Sequence, residues 1–174
     1  MKKEKVLQVL KRAMDIERQG QAFYQEATEH VRDPMGKRVF GTLAKEEVEH
    51  LRLLQTEYEA IHNDQAWVEL SEAKTREPTS TLQLFPDKRD AVFIIPADAS
   101  DLDALSIAME FEAKGYNMYH QAEAEVDDPN AKAVFSFLAQ QENDHYVFLQ
   151  KTHEYLTTNG AWYFDELEFP FFGG

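Results

Sequence analysis

The sequence predicts an all-α protein: an antiparallel four-helix bundle made of two repeated helical hairpins with one long crossover. Three observations lead there. The chain is written twice, with residues 13–55 running onto 108–150 without a gap and about 18 identities in about 43 positions, self-similarity that marks a duplicated structural unit. Apolar residues recur at three- and four-residue spacing through both copies, the period of helices with one buried face. Glycine and proline are scarce, seven and six in 174 residues, and an Asp-Pro pair stands midway through each copy.

The first hairpin spans about residues 3–62. Val6, Leu7, Leu10, Met14, Phe23, Tyr24 and Ala27 form the apolar stripe of its first helix, and Val39, Phe40, Leu43, Val48, Leu51 and Leu54 that of its second. Between them, Arg32-Asp33-Pro34 supplies an N-cap and a proline at the first helical position, so one helix stops and the next starts. Asp127-Asp128-Pro129 does the same in the second hairpin, about residues 101–158. Each helix of about 25 residues is roughly 40 Å long.

The crossover, residues 63–100, has another character. Pro78, Pro86 and Pro96 forbid a continuous helix there, because proline lacks an N–H and clashes with the preceding turn. Thr79-Ser80-Thr81 reads as loop and residues 91–95 as a short extended piece. The bundle accounts for residues 1–160. Residues 161–174 form an aromatic, acidic tail with Trp162, Tyr163, Phe164, Phe169, Phe171 and Phe172. Such a segment either covers apolar surface of its own bundle or docks a partner or a second copy in a homodimer.

Composition narrows the function classes. With 32 acidic and 18 basic residues, the net charge is −14, which repels phosphate backbones and argues against nucleic-acid binding. No run of about 18 apolar residues suggests a membrane span, and Met1-Lys2-Lys3-Glu4-Lys5 does not read as a signal peptide. The expected location is the cytoplasm. Cysteine is absent, which excludes disulfides, thiolate metal sites and cysteine nucleophiles. A metal must therefore sit on oxygen and imidazole nitrogen, which favours iron, manganese or zinc.

The polar residues that repeat carry the chemistry. Glu-x-x-His occurs as Glu47/His50 and as Glu142/His145, a spacing that puts both side chains on one helix face. By itself the pattern arises by chance; Glu59/His62 is such a pair, with Thr157 opposite His62 in the other copy. The hairpin adds register. In a chain folded back at Asp33-Pro34, Glu17 lies level with His50, and Glu47 stands one turn away. Glu112 and His145 are related in the same way in the second copy. Four Glu and two His are the ligand count of a carboxylate-bridged dinuclear centre. Two divalent cations would balance four carboxylates that could not otherwise all stay ionised in a core.

Tyr24 and Tyr119 fall two turns after Glu17 and Glu112, on the same face. They are read as donating a hydrogen bond to a ligand carboxylate; the alternative is a core tyrosine with any acceptor. Gly20 and Gly115 sit mid-helix, where glycine costs about 1 kcal/mol relative to alanine. They leave room either for an exogenous ligand such as peroxide or dioxygen or for close helix packing. His30, His120 and His153 have no partner pattern and are expected to be solvated.

Glu17-x6-Tyr24, Glu47-x-x-His50, Glu112-x6-Tyr119 and Glu142-x-x-His145, in that order, resemble the rubrerythrin-like branch of the ferritin-like di-iron carboxylate proteins over both hairpins. The resemblance implies a site for two iron ions and reduction of peroxide, or Fe(II) oxidation and storage as in ferritin relatives. The chain departs from rubrerythrins proper in two respects. It lacks the cysteines of a rubredoxin domain, and Gly115 stands nearest the position of that family's additional third-helix glutamate; Glu110 points off the ligand face.

Three functions follow as expectations. The first is an oxidoreductase that reacts with hydrogen peroxide or dioxygen and is re-reduced by a separate electron-donor protein. In it Glu47 and Glu142 bridge the metals, Glu17 and Glu112 are terminal ligands, and His50 and His145 bind one ion each. The second is ferroxidation for iron handling. The third is a helical binding module that holds metal for stability alone.

Overall fold

Local capping chemistry starts three of the four long helices. Asp33 accepts a hydrogen bond from the Met35 N–H at 2.8 Å, with Pro34 at the first helical position. Asp128 accepts from the N–H groups of Asn130 and Ala131 ahead of the helix begun by Pro129. Ser100 and Asp103 form a reciprocal capping box, which satisfies two backbone donors that a helix start leaves unpaired. In the computed structural model, which describes residues 2–79 and 94–163, the helices are α1 (Lys3–His30), α2 (Pro34–His62), α3 (Leu70–Ala73), α4 (Asp101–Glu125) and α5 (Pro129–Asn159). Gly160, in the left-handed conformation, closes α5, a backbone position that suits a residue without Cβ.

α1 packs along α2 and α4 along α5, while α1 and α4 run closest across the two hairpins. The apolar core is divided. One cluster joins Leu10, Met14, Leu51 and Leu54 to Val134, Phe135 and Leu138. The other joins Phe23, Val39, Phe40 and Leu43 to Leu105, Phe111 and Leu149. They occupy opposite ends of the bundle, and the repeated Glu and His residues lie between them along every helix. Burying each Leu or Phe contributes about 1.5–3 kcal/mol, so two apolar ends clamp one polar layer.

The crossover is more ordered at its start than its prolines suggest. It contains α3, one helical turn begun by Glu69, whose carboxylate accepts from Ser71. Trp67 stacks edge-on against Phe135 at 5.8 Å, and its carbonyl accepts from the Asn130 side chain. Ile95 is buried and Ile94 exposed, with no strand there; residues 91–93, Pro86 and the tail from residue 164 lie outside the described residues. Where the tail begins, Trp162 covers the bundle. Its ring meets Phe40 edge-on at 5.8 Å and its indole N–H donates to Asp101 at 2.8 Å. A Cβ on Gly36 would lie 2.8 Å from that ring, so the small residue is what admits it.

His30 departs from the solvated role expected of it. Its Nε2 lies 2.8 Å from the Ala99 carbonyl oxygen, which ties the end of α1 to the start of α4. His120 is exposed and stacks on Tyr116. Glu59 accepts from the Thr79 backbone and hydroxyl, and His62 stacks on Tyr58, so the third Glu-x-x-His pair serves the surface.

Glu57 is buried and its Oε2 accepts the Val68 N–H at 3.0 Å, fastening the crossover to α2. Burial lifts its pKa from 4.5 to about 7 against the lowering effect of that hydrogen bond. The folded protein therefore keeps a proton that the unfolded chain has already released. Stability from this group is greatest below about pH 4.5, falls as pH rises to about 7 and stays low above it. Glu57→Gln retains the acceptor and removes the ionisation. Its Tm should exceed that of the parent by several degrees at about pH 8, given about 2–4 °C per kcal/mol for a chain of this size, and the difference should vanish below about pH 4.5.

Candidate metal centre

Each long helix turns its polar face to the layer between the two apolar clusters. α1 supplies Glu17, α2 Glu47 and His50, α4 Glu112, and α5 Glu142 and His145, and all six have a relative exposure of 0%. His50 Nδ1 lies 3.4 Å from Glu17 Oε2 and 3.3 Å from Glu142 Oε1. His145 Nδ1 lies 3.4 Å from Glu112 Oε2 and 3.6 Å from Glu47 Oε1. Each imidazole thus faces one carboxylate of its own hairpin and one of the other. The two rings stack at 5.5 Å.

Two groups of four emerge. Glu17, Glu47, His50 and Glu142 each place a ligand atom within 4.8 Å of the others, and so do Glu47, Glu112, Glu142 and His145. Glu47 and Glu142 belong to both groups. All four of their carboxylate oxygens are buried and accept no hydrogen bond of ordinary geometry, whereas buried polar groups in proteins are nearly always satisfied. Unshielded carboxylate oxygens beside imidazole nitrogens are a donor set for a hard or borderline divalent cation, so these residues fit a pair of metal ions.

The tyrosines close the layer from opposite ends. The Tyr24 hydroxyl donates to Glu112 Oε1 and the Tyr119 hydroxyl to Glu17 Oε1. Both bonds cross from one hairpin to the other. Tyr24 stacks on Phe40 at 6.1 Å and Tyr119 on Phe135 at 6.3 Å, an arrangement repeated by the duplication.

Burial and mutual repulsion set the protonation of the site. Burial first, then the charges of Glu17, Glu142 and Glu112, push Glu47 well above the usual carboxylate range. Burial also lifts Glu112 and Glu142 to about 8. Glu17 goes the other way: burial pushes it up, but the charge of His50 and several hydrogen bonds, one from Tyr119, hold it below its ordinary value. His50 is raised despite burial because Glu17 and Glu142 face it, while burial lowers His145 to about 4. Both tyrosines are pushed well above 10 by burial and the nearby carboxylates, so they remain donors.

The chain belongs to the rubrerythrin family. A family model described as Rubrerythrin matches residues 8–153, which takes in both hairpins and all six buried residues. No curated protein and no solved structure matches the chain. Among the described residues, no helix of this rubrerythrin-family bundle is long and apolar enough to cross a membrane.

Two details were not legible in the sequence. Side chains of neighbouring helices already stand beside Gly20 and Gly115, as close helix packing requires. A Cβ on Gly20 would lie 2.6 Å from Glu47 Oε2 and 2.7 Å from the Phe111 ring, and one on Gly115 would collide with the Glu142 carboxylate. The glycines make room for the two carboxylates common to both groups. The second detail is Glu46, which joins His50 and His145 in a further buried cluster; its mismatch with Gln141 in otherwise matched motifs was the available signal.

Gly115→Ala tests the first detail. The substitution favours the helix by about 1 kcal/mol while displacing Glu142. The metal-free Tm should hold or rise, and affinity for divalent ions should fall about ten-fold or more. Calorimetry with and without metal measures both.

Proposed function

We propose that this protein binds two iron ions through Glu17, Glu47, His50, Glu112, Glu142 and His145, and acts as an oxidoreductase toward hydrogen peroxide or dioxygen. Manganese or zinc would be substitutes, and a separate donor protein would return the electrons. The observation that carries the reading is the sharing of Glu47 and Glu142 between two four-residue groups, with all their oxygens buried and accepting no hydrogen bond. In this reading Glu47 and Glu142 would be shared by the two ions, Glu17 and Glu112 would each hold one, and each imidazole would serve one ion.

The metal pair, when bound, supplies electrons and Lewis acidity for reduction of the oxidant. The chain supplies the rest. Tyr24 and Tyr119 fix one oxygen each of Glu112 and Glu17, leaving the other oxygen turned to an imidazole. Phe40, Phe111 and Phe135 wall the layer with apolar surface, which keeps bulk water away and strengthens electrostatic interactions inside. Because Glu47, Glu112, Glu142 and His50 hold protons in the metal-free protein, loading must release them, so metal uptake should weaken as pH falls.

Anaerobic Fe(II) loading followed by separate peroxide and dioxygen challenges tests this reading. About two ions per chain, as the ligand set dictates, and faster oxidation by peroxide are expected. Accumulation of many ions per chain would favour iron handling instead, and inertness to both oxidants would leave a metal-stabilised binding module. Glu142→Ala should lose metal. Tyr24→Phe should keep about two ions yet slow oxidation several-fold, since a hydrogen bond to a ligand carboxylate tunes the centre without making it.

A further inference from the structure

The duplication runs further than the helices. Trp67, just past α2, and Trp162, just past α5, stand at the same 95-residue offset as the two hairpins. Trp67 meets Phe135 edge-on at 5.8 Å and Trp162 meets Phe40 edge-on at 5.8 Å, and those two phenylalanines are equivalent as well. Each tryptophan thus crosses from its own helix to the matching helix of the other hairpin. After Trp67 the chain doubles back over α2. The Val68 N–H donates to Glu57, the Arg76 carbonyl accepts from Thr56, and Arg52 pairs with Glu77 at 2.6 Å. Beneath that stretch Leu53, Thr56, Glu57 and Ala60 are buried.

The equivalent face of α5 carries a groove instead. It measures about 570 Å³ and runs from Asp144 to Tyr155, lined by Val147, Phe148 and Thr152. Tyr163 stands at its end, with its ring 5.2 Å from that of Tyr155. Tyr155 is 42% exposed where its counterpart Ala60 is 3% exposed, and Val147 is exposed too. We propose that this groove is the docking site of the chain's own C-terminal segment, residues 164–174, laid along α5 as the crossover is laid along α2. The segment follows Tyr163 directly, so it starts at the end of the groove. Its eleven residues reach up to about 36 Å when extended, ample for a stretch of helix about 16 Å long. The residue types agree with the path. At the repeat offset, the Arg52–Glu77 ion pair becomes Val147 and Phe172, a pair that gains by leaving water together. Phe164, Leu167, Phe169 and Phe171 bring further apolar surface to a groove that already presents Val147, Phe148 and Tyr155.

The chain has no cysteine, so two introduced thiols report on a single contact. In the full-length protein, Val147→Cys with Phe172→Cys should be joined within one chain by a short bismaleimide. Glu4→Cys with Phe172→Cys should not, because Glu4 is exposed at the opposite end of the bundle. Transplanting the ion pair of the first hairpin gives a second readout. Val147→Arg and Phe172→Glu should each lower Tm by about 2–4 °C. The double variant should recover most of that loss, which two independent surface changes would not do. Cross-links between chains instead of within one would put the segment of a second copy in the groove and overturn the proposal. So would an absence of preference between the two cysteine pairs, or strictly additive losses of Tm in the double variant.

Discussion

Four carboxylates and two imidazoles packed into the middle of a bundle, with none of their surface open to water, constrain everything around them. Removing one carboxylate from water costs several kcal/mol even after relaxation, and four within a few ångströms repel one another. The metal-free protein answers with protons: Glu47, Glu112 and Glu142 hold theirs near neutral pH, and His50 is charged beside Glu17. Tyr24 and Tyr119 add hydrogen bonds from above and below. The oxygens left bare, both of Glu47 and of Glu142 and one each of Glu17 and Glu112, could be satisfied by a cation.

Such a layer holds its shape only if the bundle around it is stable without it. The apolar clusters at the two ends provide that stability, and each draws on all four long helices. The capped turns at Asp33-Pro34 and Asp128-Pro129 fix register within each hairpin, so the ligands of one hairpin arrive at a common depth. The hydrogen bonds of the tyrosines then lock one hairpin against the other. Gly20 and Gly115 follow from the same constraint: a mid-helix glycine weakens its helix, but a side chain there would occupy the volume of the Glu47 or Glu142 carboxylate.

Duplication yields symmetry, and the departures from symmetry carry information. Phe111 covers Gly20, where the first repeat has Ile16 in the equivalent place. Glu46 comes close to both imidazoles where the second repeat has Gln141. Both differences lie beside the layer of buried Glu and His residues.

Periodicity, capping residues and the repeat determined, from the sequence alone, the four long helices, their turns to within a residue or two, and the six polar residues that the fold buries. These are local signals, set by 3.6-residue spacing and by the chemistry of Asp-Pro at a helix start. Tertiary structure alone decided which carboxylate each tyrosine meets, because those bonds join residues about a hundred positions apart across two hairpins. It also decided what fills the space beside the glycines, that His30 reaches Ala99, that Trp162 lies on Gly36 and that Glu46 comes close to both imidazoles. Each of these depends on how separate helices face one another, a relation that spacing along one helix does not encode.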